Sequence, residues 1–248
     1  MDSLKNKKIL VTGASSGIGM ATAIYLSQKG AKVVITGRNE ARLRACFEQL
    51  DGNDNIMVVA DILNNDDIKR LLIDSVEDGI KLDGYVHCVG ISAVMPVKVL
   101  SEDKLIDVFK SNFFSFIAVF KLFAQKKFSN EGASVAAMSA ILAHQPRKFE
   151  LAYISSKAAL EAAIPVLAME YSKRKIRVNS VIPGFVKTPM VIKSMEEYGN
   201  KEEMDQLASQ FLYGWEQPED IARIAAFMMS DNSKVINGRN IYADGGML

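Results

Sequence analysis

A chain of 248 residues, 49% of them hydrophobic and 24% charged, is long enough and apolar enough to build one large core. Its formal net charge of +1 and the absence of basic segments interleaved with aromatic residues argue against nucleic acid as a partner. The longest candidate apolar run, near 113–120, is interrupted by Ser115 and falls short of the ~18 residues that a membrane helix needs. The N-terminus has no apolar secretion segment, so we expect no membrane partner and a cytoplasmic location.

Short apolar runs and helical patterns alternate along the chain. Strands are predicted near 8–12, 32–36, 56–60, 84–89, 133–138, 177–182 and 239–242. Helices are predicted near 17–29, 39–50, 65–79, 101–127, 150–173 and 217–230. Because this alternation joins parallel strands through right-handed crossovers, the sequence predicts an α/β fold: a single Rossmann-like domain over residues 1–248, with a doubly wound parallel sheet of about seven strands flanked by helices on both faces.

The first predicted strand runs directly into a glycine-rich turn, Thr-Gly-Ala-Ser-Ser-Gly-Ile-Gly, at residues 12–19. Gly13 permits a tight turn, Gly17 lets the main chain approach a pyrophosphate, and Gly19 allows the following helix to pack close to the strand. Free N–H groups at the start of that helix would face the anion. The turn is therefore a candidate phosphate cradle, although its spacing differs from the common GxGxxG fingerprint.

Tyr153 and Lys157 are separated by four residues in a predicted helix, so the phenol and the ammonium lie on one face, one turn apart. A free phenol titrates near pH 10, and lowering its pKa to about 7 requires roughly 4 kcal/mol, which a nearby cation and oriented hydrogen bonds can supply. The pair is a candidate for proton transfer. The alternative is ordinary packing, in which the ring lies in the core and the lysine stem covers apolar surface.

Taken together, the glycine turn at 12–19 and the Tyr-x-x-x-Lys motif at 153–157 resemble the short-chain dehydrogenase/reductase family, and the match extends nearly from end to end. The resemblance implies an NAD(P)-dependent oxidoreductase in which Tyr153 donates a proton to the reacting oxygen and Lys157 lowers the pKa of the phenol and holds the nicotinamide ribose. It implies that Ser139 bonds to the same oxygen. It also implies that the main chain of Asn112 binds a water linking Lys157 to solvent.

The same resemblance implies a cofactor site that uses the ends of several strands. Asp61 would bond to adenine and Gly90 would let the chain pass beside the adenosine, while the Pro183-Gly184 pair follows the strand predicted at 177–182. Asp61 could otherwise be a simple helix cap. The predicted cofactor-binding residues are Gly13, Ser15, Ser16, Gly17, Ile18, Gly19, Arg38, Asp61, Ile62, Val89, Gly90, Tyr153, Lys157, Pro183, Gly184, Val186 and Thr188.

The end of the second predicted strand bears on the choice between NAD and NADP. An acid at this position accepts bonds from the ribose 2′-hydroxyl of NAD and repels a 2′-phosphate. The segment 34–39 contains no acid, and Arg38 can bond to a 2′-phosphate and stack on adenine. We therefore predict NADP (NADPH), with NAD less favoured, although Ser16 stands where many NADP-preferring relatives carry Arg or Lys. Alternatively, Arg38 is a solvated loop charge.

His87 and Cys88 occupy a segment where the family usually carries two asparagines that tie neighbouring strands together. This is the clearest departure from the family pattern. Neighbouring strand residues point to opposite faces and further ligands are not spaced nearby, so we predict no metal site. Cys46 and Cys88 show no paired spacing and are interpreted as reduced core residues.

The family resemblance implies a substrate lid over residues 188–214, whose Met190, Met195, Tyr198, Phe211 and Tyr213, with Trp215 nearby, favour an apolar substrate wall. Ordinary packing or an oligomer contact explains the same residues equally well.

Pro165 lies inside the helix predicted at 150–173 and should kink it. Relatives form subunit contacts through this helix and the one at 101–127, so a homotetramer or a homodimer is expected.

Substrate identity is less constrained. Lys126-Lys127 and 173–175 are basic helix ends, which the helix dipole alone explains. The sharper hypothesis is docking of an acidic acyl carrier protein, as in the 3-oxoacyl-carrier-protein reductases that the chain resembles in length and layout; Arg174 matches one docking arginine of those enzymes, while Asn130 replaces the other.

Three functions follow from these residues. The first is an NADPH-dependent reductase that converts a small-molecule or carrier-bound ketone, such as a 3-oxoacyl group, into a secondary alcohol. The second is a dehydrogenase that oxidises a sugar, polyol or steroid alcohol. The third is a cofactor-binding regulator without activity, which the intact set of four catalytic side chains disfavours.

Overall fold

The protein forms a seven-stranded, entirely parallel sheet. The computed structural model describes residues 4–198, 202, 205, 206, 209, 212 and 214–246. The strands are β1 (Lys8–Thr12), β2 (Lys32–Gly37), β3 (Ile56–Val59), β4 (Leu82–His87), β5 (Ser129–Met138), β6 (Arg177–Pro183) and β7 (Asn240–Ala243). Their order in the sheet is β3-β2-β1-β4-β5-β6-β7, so the direction of winding reverses between β1 and β4. The predicted doubly wound α/β fold is confirmed.

Eight longer helices connect and cover the strands in the described part of the chain. They are α1 (Gly17–Gln28), α2 (Glu40–Phe47), α3 (Asn65–Asp74), α4 (Glu102–Phe109), α5 (Ser115–Phe123), α6 (Leu151–Glu170), α7 (Pro189–Tyr198) and α8 (Pro218–Met229). Several begin where a side chain accepts bonds from the first free N–H groups: Asn39 caps α2, Asn64 caps α3 and Ser101 caps α4. These local caps set the starts of the helices within a residue or two of the positions predicted from sequence.

The two faces of the sheet bury separate apolar clusters because successive strand residues point to opposite sides. On β1, Leu10 joins the cluster that contains Phe116 and Leu160 from α5 and α6, while Ile9 joins the cluster that contains Ala23 and Ala225 from α1 and α8. Each of these six residues is essentially inaccessible to water. The burial of both faces of the central strands explains why these strands are apolar on both sides.

Two predicted elements differ from the structure. The helix predicted at 101–127 is interrupted by a π-helical turn, Lys110–Phe114, and ends at Phe123, so Lys126 and Lys127 lie beyond it. The segment after Thr188, which showed no clear helical pattern, forms α7. A π turn accommodates one extra residue in a helix that otherwise reads as continuous, which hydrophobic spacing alone does not reveal.

Helix α6 is a single element that passes through Pro165. Pro165 cannot donate a backbone hydrogen bond to Glu161, but it packs beside Gly238, where a Cβ atom would lie 3.5 Å from the Cα of Pro165. By length and composition alone, α6 is also apolar enough to cross a membrane. Core helices pass the same test, and α6 packs against β6 with Ala152 and Ile164 buried.

Candidate active site

A cleft of about 330 Å³ opens at the carboxyl ends of the central strands, at the point where the winding reverses. All the residues predicted from sequence to bind the cofactor line this cleft, from the glycine turn at one end to Tyr153 and Lys157 at the other. Ser139 lines it too. Asn112 does not line the cleft but lies buried behind it.

The glycine turn has the shape that a phosphate cradle requires. Gly13 has φ +73°, and a Cβ atom there would lie 3.0 Å from the backbone of Cys88. A Cβ atom on Gly19 would overlap the carbonyl group of Gly13, so α1 can approach the turn only with glycine at this position. Ser16, the N-cap of α1, makes no side-chain capping bond, so the first N–H groups of the helix are not capped by that hydroxyl. The turn therefore fits a pyrophosphate group.

At the adenosine end of the cleft, the Arg38 guanidinium lies 4.0 Å from the carboxylate of Asp61. Both side chains are exposed, Arg38 by 67% and Asp61 by 41%. The prediction that this end lacks an acid considered only the end of β2; the fold brings an acid from the end of β3 to the same place. An exposed pair at this distance contributes at most about 1 kcal/mol, so Arg38 stays available to an anionic ligand.

Tyr153 and Lys157 lie one turn apart on α6, with the ammonium Nζ 5.8 Å from the centre of the phenol ring. The Lys157 Nζ donates a hydrogen bond of 2.7 Å to the carbonyl oxygen of Met138 at the end of β5. Burial lowers the pKa of Lys157 from 10.5 to about 8, against the opposing influence of Cys88 and Glu161. The lysine is thus a cation at neutral pH that stands close to its titration range.

The phenol itself behaves differently from the sequence-based expectation. Burial raises the pKa of Tyr153 above its usual value of 10, and the nearby Glu150 carboxylate raises it further. The Lys157 ammonium bonds to Met138 and not to the phenol, so desolvation decides the direction of the shift. A raised pKa keeps Tyr153 protonated at neutral pH, which is the form that donates a proton.

Asn112 lies in the π turn between α4 and α5. Its side chain is bound on both sides: the amide oxygen accepts from the N–H of Ile91 at 2.7 Å, and the amide nitrogen donates to the Ile91 carbonyl and to Ser156. Asn112 therefore links the segment that follows β4 to helix α6, next to Lys157. Its side chain is fully engaged, which leaves only its main chain for any role toward Lys157.

Ser139 follows β5, and its hydroxyl donates a short hydrogen bond to the carboxylate of Glu161 on α6. The other oxygen of Glu161 lies 2.7 Å from Nε2 of His144, and Nδ1 of His144 lies 3.0 Å from the hydroxyl of Tyr242 on β7. The sequence analysis missed Glu161 and His144. The spacing Tyr153, Lys157, Glu161 repeats every four residues, and this pattern would have placed the carboxylate on the catalytic face of α6.

His87 replaces one of the family's strand-tying asparagines and performs a comparable connection. Its Nδ1 lies 3.1 Å from the hydroxyl of Thr12, its neighbour on β1, and 2.7 Å from the hydroxyl of Tyr85. Burial lowers the pKa of His87 to about 3, with Lys157 contributing, so the imidazole is neutral. Burial also raises the pKa of the Cys88 thiol to about 12. Cys46 and Cys88 are both free thiols; Cys46 is a buried core residue, as predicted, whereas Cys88 is partly exposed and lines the cleft.

A second, smaller cavity of about 100 Å³ adjoins the reactive end of the cleft. Its lining combines apolar side chains with Arg147 and Glu150, and it shares Tyr153, Gly184 and Met190 with the larger cleft. The Arg147 guanidinium lies 4.8 Å above the ring of Phe185. A ligand in this cavity would lie against Tyr153.

The aromatic and methionine residues expected to wall this cavity fall in different places. Met190 lines it at the start of α7, and Trp215 packs edge-on against Phe185 with ring centres 6.2 Å apart. Met195 lies on α7 but does not line the cavity. Tyr198 ends that helix, whereas Phe211 and Tyr213 lie outside the described residues.

Arg174 is partly exposed and has a structural role. Its guanidinium donates to the carbonyl oxygens of Ala124 and Ser129 and therefore ties the end of α5 to the start of β5. Contact of Arg174 with an acidic carrier protein stays a prediction. Lys173 and Lys126 remain on the surface without such a buried role.

Glu216 is a further residue that the sequence analysis missed. It accepts a hydrogen bond of 3.1 Å from the N–H of Gly184, and burial raises its pKa to about 7. It thereby supports the Pro183-Gly184 segment from behind the cleft. Among the described residues, no three His, Cys, Asp or Glu side chains cluster closely enough to hold a metal ion.

Comparison with known proteins agrees with this arrangement. The family described as Enoyl-(Acyl carrier protein) reductase matches residues 13–248. A 3-oxoacyl-(acyl-carrier-protein) reductase of Rickettsia prowazekii is 33% identical over 100% of this chain and 99% of its own length. A glucose 1-dehydrogenase of Gluconobacter oxydans is 31% identical over 99% of this chain and 93% of its own.

Solved structures show the same fold. A short-chain type dehydrogenase/reductase from Mycobacterium ulcerans superimposes with a TM-score of 0.89 at 28% identity, covering 98% of this chain and 90% of its own. The actinorhodin polyketide ketoreductase, solved with NADPH, superimposes with a TM-score of 0.90 at 24% identity over 99% and 98% of the two chains. The protein belongs to the short-chain dehydrogenase/reductase family, whose members are oxidoreductases that bind NAD(P).

Proposed function

We propose that this protein is an NADPH-dependent reductase that converts a ketone into a secondary alcohol. The observation that carries the proposal is the convergence of Ser139, Tyr153 and Lys157 at one end of a cleft whose other end carries the glycine turn and Arg38. A proton donor, a hydroxyl partner and a cation thus stand together at the end of the cleft where a reacting carbonyl would meet the cofactor.

The residues of the cleft fit a dinucleotide. The turn at Gly13 and Gly19 leaves room that a Cβ atom would fill, and the start of α1 faces it. Arg38 would hold a 2′-phosphate, Asp61 would face the adenine, and Lys157 would hold the nicotinamide ribose. When bound, NADPH supplies the hydride that reaches the carbonyl carbon.

The chain's own residues manage the charge and the proton. As the carbonyl oxygen becomes an alkoxide, the protonated Tyr153 phenol donates its proton to it. The Lys157 ammonium then stabilises the phenolate that remains, because it lies on the same face of α6. The Ser139 hydroxyl has one proton, which it donates to Glu161 in the structure, so it must turn away from Glu161 to bond to the same oxygen; a well-placed donor there contributes about 2.7–4 kcal/mol. The main chain of Asn112 would bind the water through which Lys157 exchanges protons with solvent.

The first candidate substrate is a 3-oxoacyl chain carried on an acyl carrier protein. The Rickettsia relative supports this candidate, because its name describes a reductase of such substrates. A second candidate is oxidation of a sugar, polyol or steroid alcohol, which the Gluconobacter relative and the charged Arg147 and Glu150 beside the small cavity support. A regulator without activity is disfavoured, because all four proposed catalytic side chains are present.

Three further features extend the proposal. We propose that residues 1–248 form one domain with a substrate lid at 188–214, that the protein acts in the cytoplasm, and that it assembles as a homotetramer or homodimer. Helix α7 begins this lid, and its first residues, Pro189 and Met190, line the cleft. Thr188 lies 3.3 Å from where a Cβ of Gly17 would be, so the lid starts in contact with the glycine turn.

The test is to incubate the purified protein with NADPH or NADH and a panel of carbonyl compounds. The panel should include an acetoacetyl thioester, a keto sugar and a steroid ketone, and the reverse reaction should be run with the matching alcohols. Oxidation of NADPH by at least one ketone is the expected result. If neither direction shows turnover with either cofactor, the proposed function is wrong; a preference for NADH above tenfold would overturn the assignment of Arg38.

A further inference from the structure

A carboxylate without a hydrogen-bond partner lies at the small cavity beside Tyr153. Glu150 lines this cavity, and its charge acts on the phenol of Tyr153, so the carboxylate lies near the proposed proton donor. Glu150 is the N-cap residue of α6, yet its side chain caps none of the first N–H groups of that helix. Its carboxylate takes part in none of the hydrogen bonds among the described residues. The acceptor oxygens of Glu150 are therefore open to a ligand in the cavity.

The surroundings of Glu150 are unfavourable for a carboxylate that binds nothing. The residue is only partly exposed, and desolvation raises its pKa above the usual value, while the charge of Arg147 opposes this shift. A partly buried carboxylate loses contact with water, and here the described part of the chain supplies no donor in return. A hydrogen-bond donor on a bound ligand would replace the lost bonds.

The backbone immediately before Glu150 is strained. Phe149 has φ +72°, in the left-handed region that residues other than glycine rarely adopt. Its carbonyl oxygen accepts a hydrogen bond of 2.7 Å from the N–H of Met95, and this contact between distant segments holds the turn in place. Such strain persists only where the surrounding structure fixes it, and it concentrates at functional sites. The strained turn thus holds Glu150 three residues before Tyr153.

The charges and the size of the cavity restrict the ligand. Arg147 and Glu150 have opposite charges and line the same cavity, so a carboxylate would be repelled by one of them and an ammonium group by the other. A hydroxyl group is neutral and can donate to a carboxylate. The cavity of about 100 Å³ is well below the roughly 300–1,000 Å³ of pockets for drug-sized ligands. It therefore fits a small hydroxylated group better than a long apolar chain or a steroid.

We propose that Glu150 is a specificity-determining residue that selects carbonyl substrates with a hydroxyl group close to the carbonyl, such as small hydroxyketones. The substrate hydroxyl donates to the Glu150 carboxylate, and this bond holds the neighbouring carbonyl oxygen against Tyr153. A simple 3-oxoacyl chain has no such hydroxyl, so the cavity favours the sugar or polyol candidate, whose oxidation is the reverse of hydroxyketone reduction. The inference rests on the proposed function.

The kinetic test compares two ketones of similar size with the full-length protein and NADPH. Hydroxyacetone carries a hydroxyl group where butanone carries a methyl group. In the wild type, kcat/KM for hydroxyacetone should exceed that for butanone by about tenfold to a hundredfold, the value of a hydrogen bond to a charged group. Glu150→Ala should lower this ratio by the same factor, and Glu150→Gln, whose amide oxygen still accepts, should restore part of it. The change in the ratio is decisive, because the intrinsic reactivity of the two ketones is the same in every variant.

Controls separate a role in specificity from a general loss of activity. Glu170→Ala removes a carboxylate from an exposed position of α6 and should leave the ratio unchanged. Aminoacetone and pyruvate carry an ammonium group and a carboxylate, respectively, next to the carbonyl, and both should react more slowly than hydroxyacetone in the wild type. A higher kcat/KM for either of them, or a ratio that Glu150→Ala leaves unaltered, would overturn the proposal.

A binding measurement without turnover separates this inference from the proposed function. In protein that is labelled with ¹³C at the glutamate side chains and saturated with NADP⁺, the carboxyl resonance of Glu150 can be assigned by comparison with Glu150→Gln. Hydroxyacetone should shift this resonance, whereas butanone should leave it nearly unchanged. If no carbonyl compound or alcohol reacts with either cofactor, the proposed function fails; if hydroxyacetone leaves the Glu150 resonance where it was, the inference fails.

Discussion

The two ends of the cleft are built in different ways. At the reactive end, Ser139 and Lys157 are each 4% exposed, and each is held by a hydrogen bond to a buried partner. At the adenosine end, Arg38 and Asp61 are exposed, and their charged groups lie 4.0 Å apart, too far for a hydrogen bond between them. Interactions at the buried end act in a low effective dielectric, whereas those at the exposed end are weakened by water and salt.

This difference separates two properties of the protein, its reaction class and its cofactor preference. The reaction class depends on side chains that the core holds in place, so it follows from few residues. The proposed preference for NADP over NAD depends on an exposed cation beside an exposed acid, where a difference of about 1.4 kcal/mol in binding free energy changes the preference tenfold. The buried end should therefore show large mutational effects that salt does not alter, and the exposed end smaller effects that salt reduces.

The largest effect is expected at Tyr153. Tyr153→Phe keeps the ring and removes the proton donor, so kcat for ketone reduction should fall by about 10²- to 10⁴-fold. Binding of NADPH, measured by fluorescence titration, should change little because the glycine turn and Arg38 are untouched. Undiminished turnover in this variant would contradict the role of Tyr153.

The next effect is expected at the exposed end. Arg38→Ala should raise KM for NADPH by roughly tenfold to a hundredfold, the value of a charge-assisted bond to the 2′-phosphate, and leave KM for NADH almost unchanged. Arg42→Ala, an exposed arginine on α2, is the matched control. The rise in KM for NADPH caused by Arg38→Ala should be smaller at high salt. An equal rise for both cofactors would show that Arg38 does not discriminate between them.

The third prediction concerns pH. Lys157 carries its charge below its pKa of about 8 and loses it above. The rate of reduction should therefore be steady below this pH and fall as pH rises through it, approaching about tenfold per pH unit for a single ionisation. Lys157→Arg keeps a permanent charge, so whatever activity remains should lack this fall near pH 8. If the rate of Lys157→Arg still falls near pH 8, the group that ionises there is not Lys157.

The smallest effect is expected at Asp61. Asp61→Asn removes a negative charge beside Arg38, and because the pair is exposed the change should be below about 1 kcal/mol. We expect KM for NADPH to fall by no more than a few-fold in steady-state assays at low salt. A rise of more than tenfold in KM for NADPH would mean that the carboxylate makes a strong contact with the adenine. The exposed end would then resemble the buried end in the strength of its interactions.

Several features were predictable because they depend on neighbours in the chain. The alternation of apolar strands and helices gave the α/β fold, since periodicity directly reflects which faces are buried. The turn containing Gly13 and Gly19 and the spacing of Tyr153 and Lys157 were recognisable for the same reason. The turn at 12–19 and the pair at 153–157 are short segments, and backbone geometry fixes what each of them means.

Other features were decided only by the tertiary structure. The sequence determined that an acid follows β3 and an arginine follows β2, but the pairing of these strands placed Asp61 beside Arg38. The contacts of Ser139 with Glu161 and of His144 with Tyr242 likewise join segments far apart in the chain. The physical reason is that hydrogen bonds between distant segments depend on how the core packs, which local hydrophobic spacing does not record.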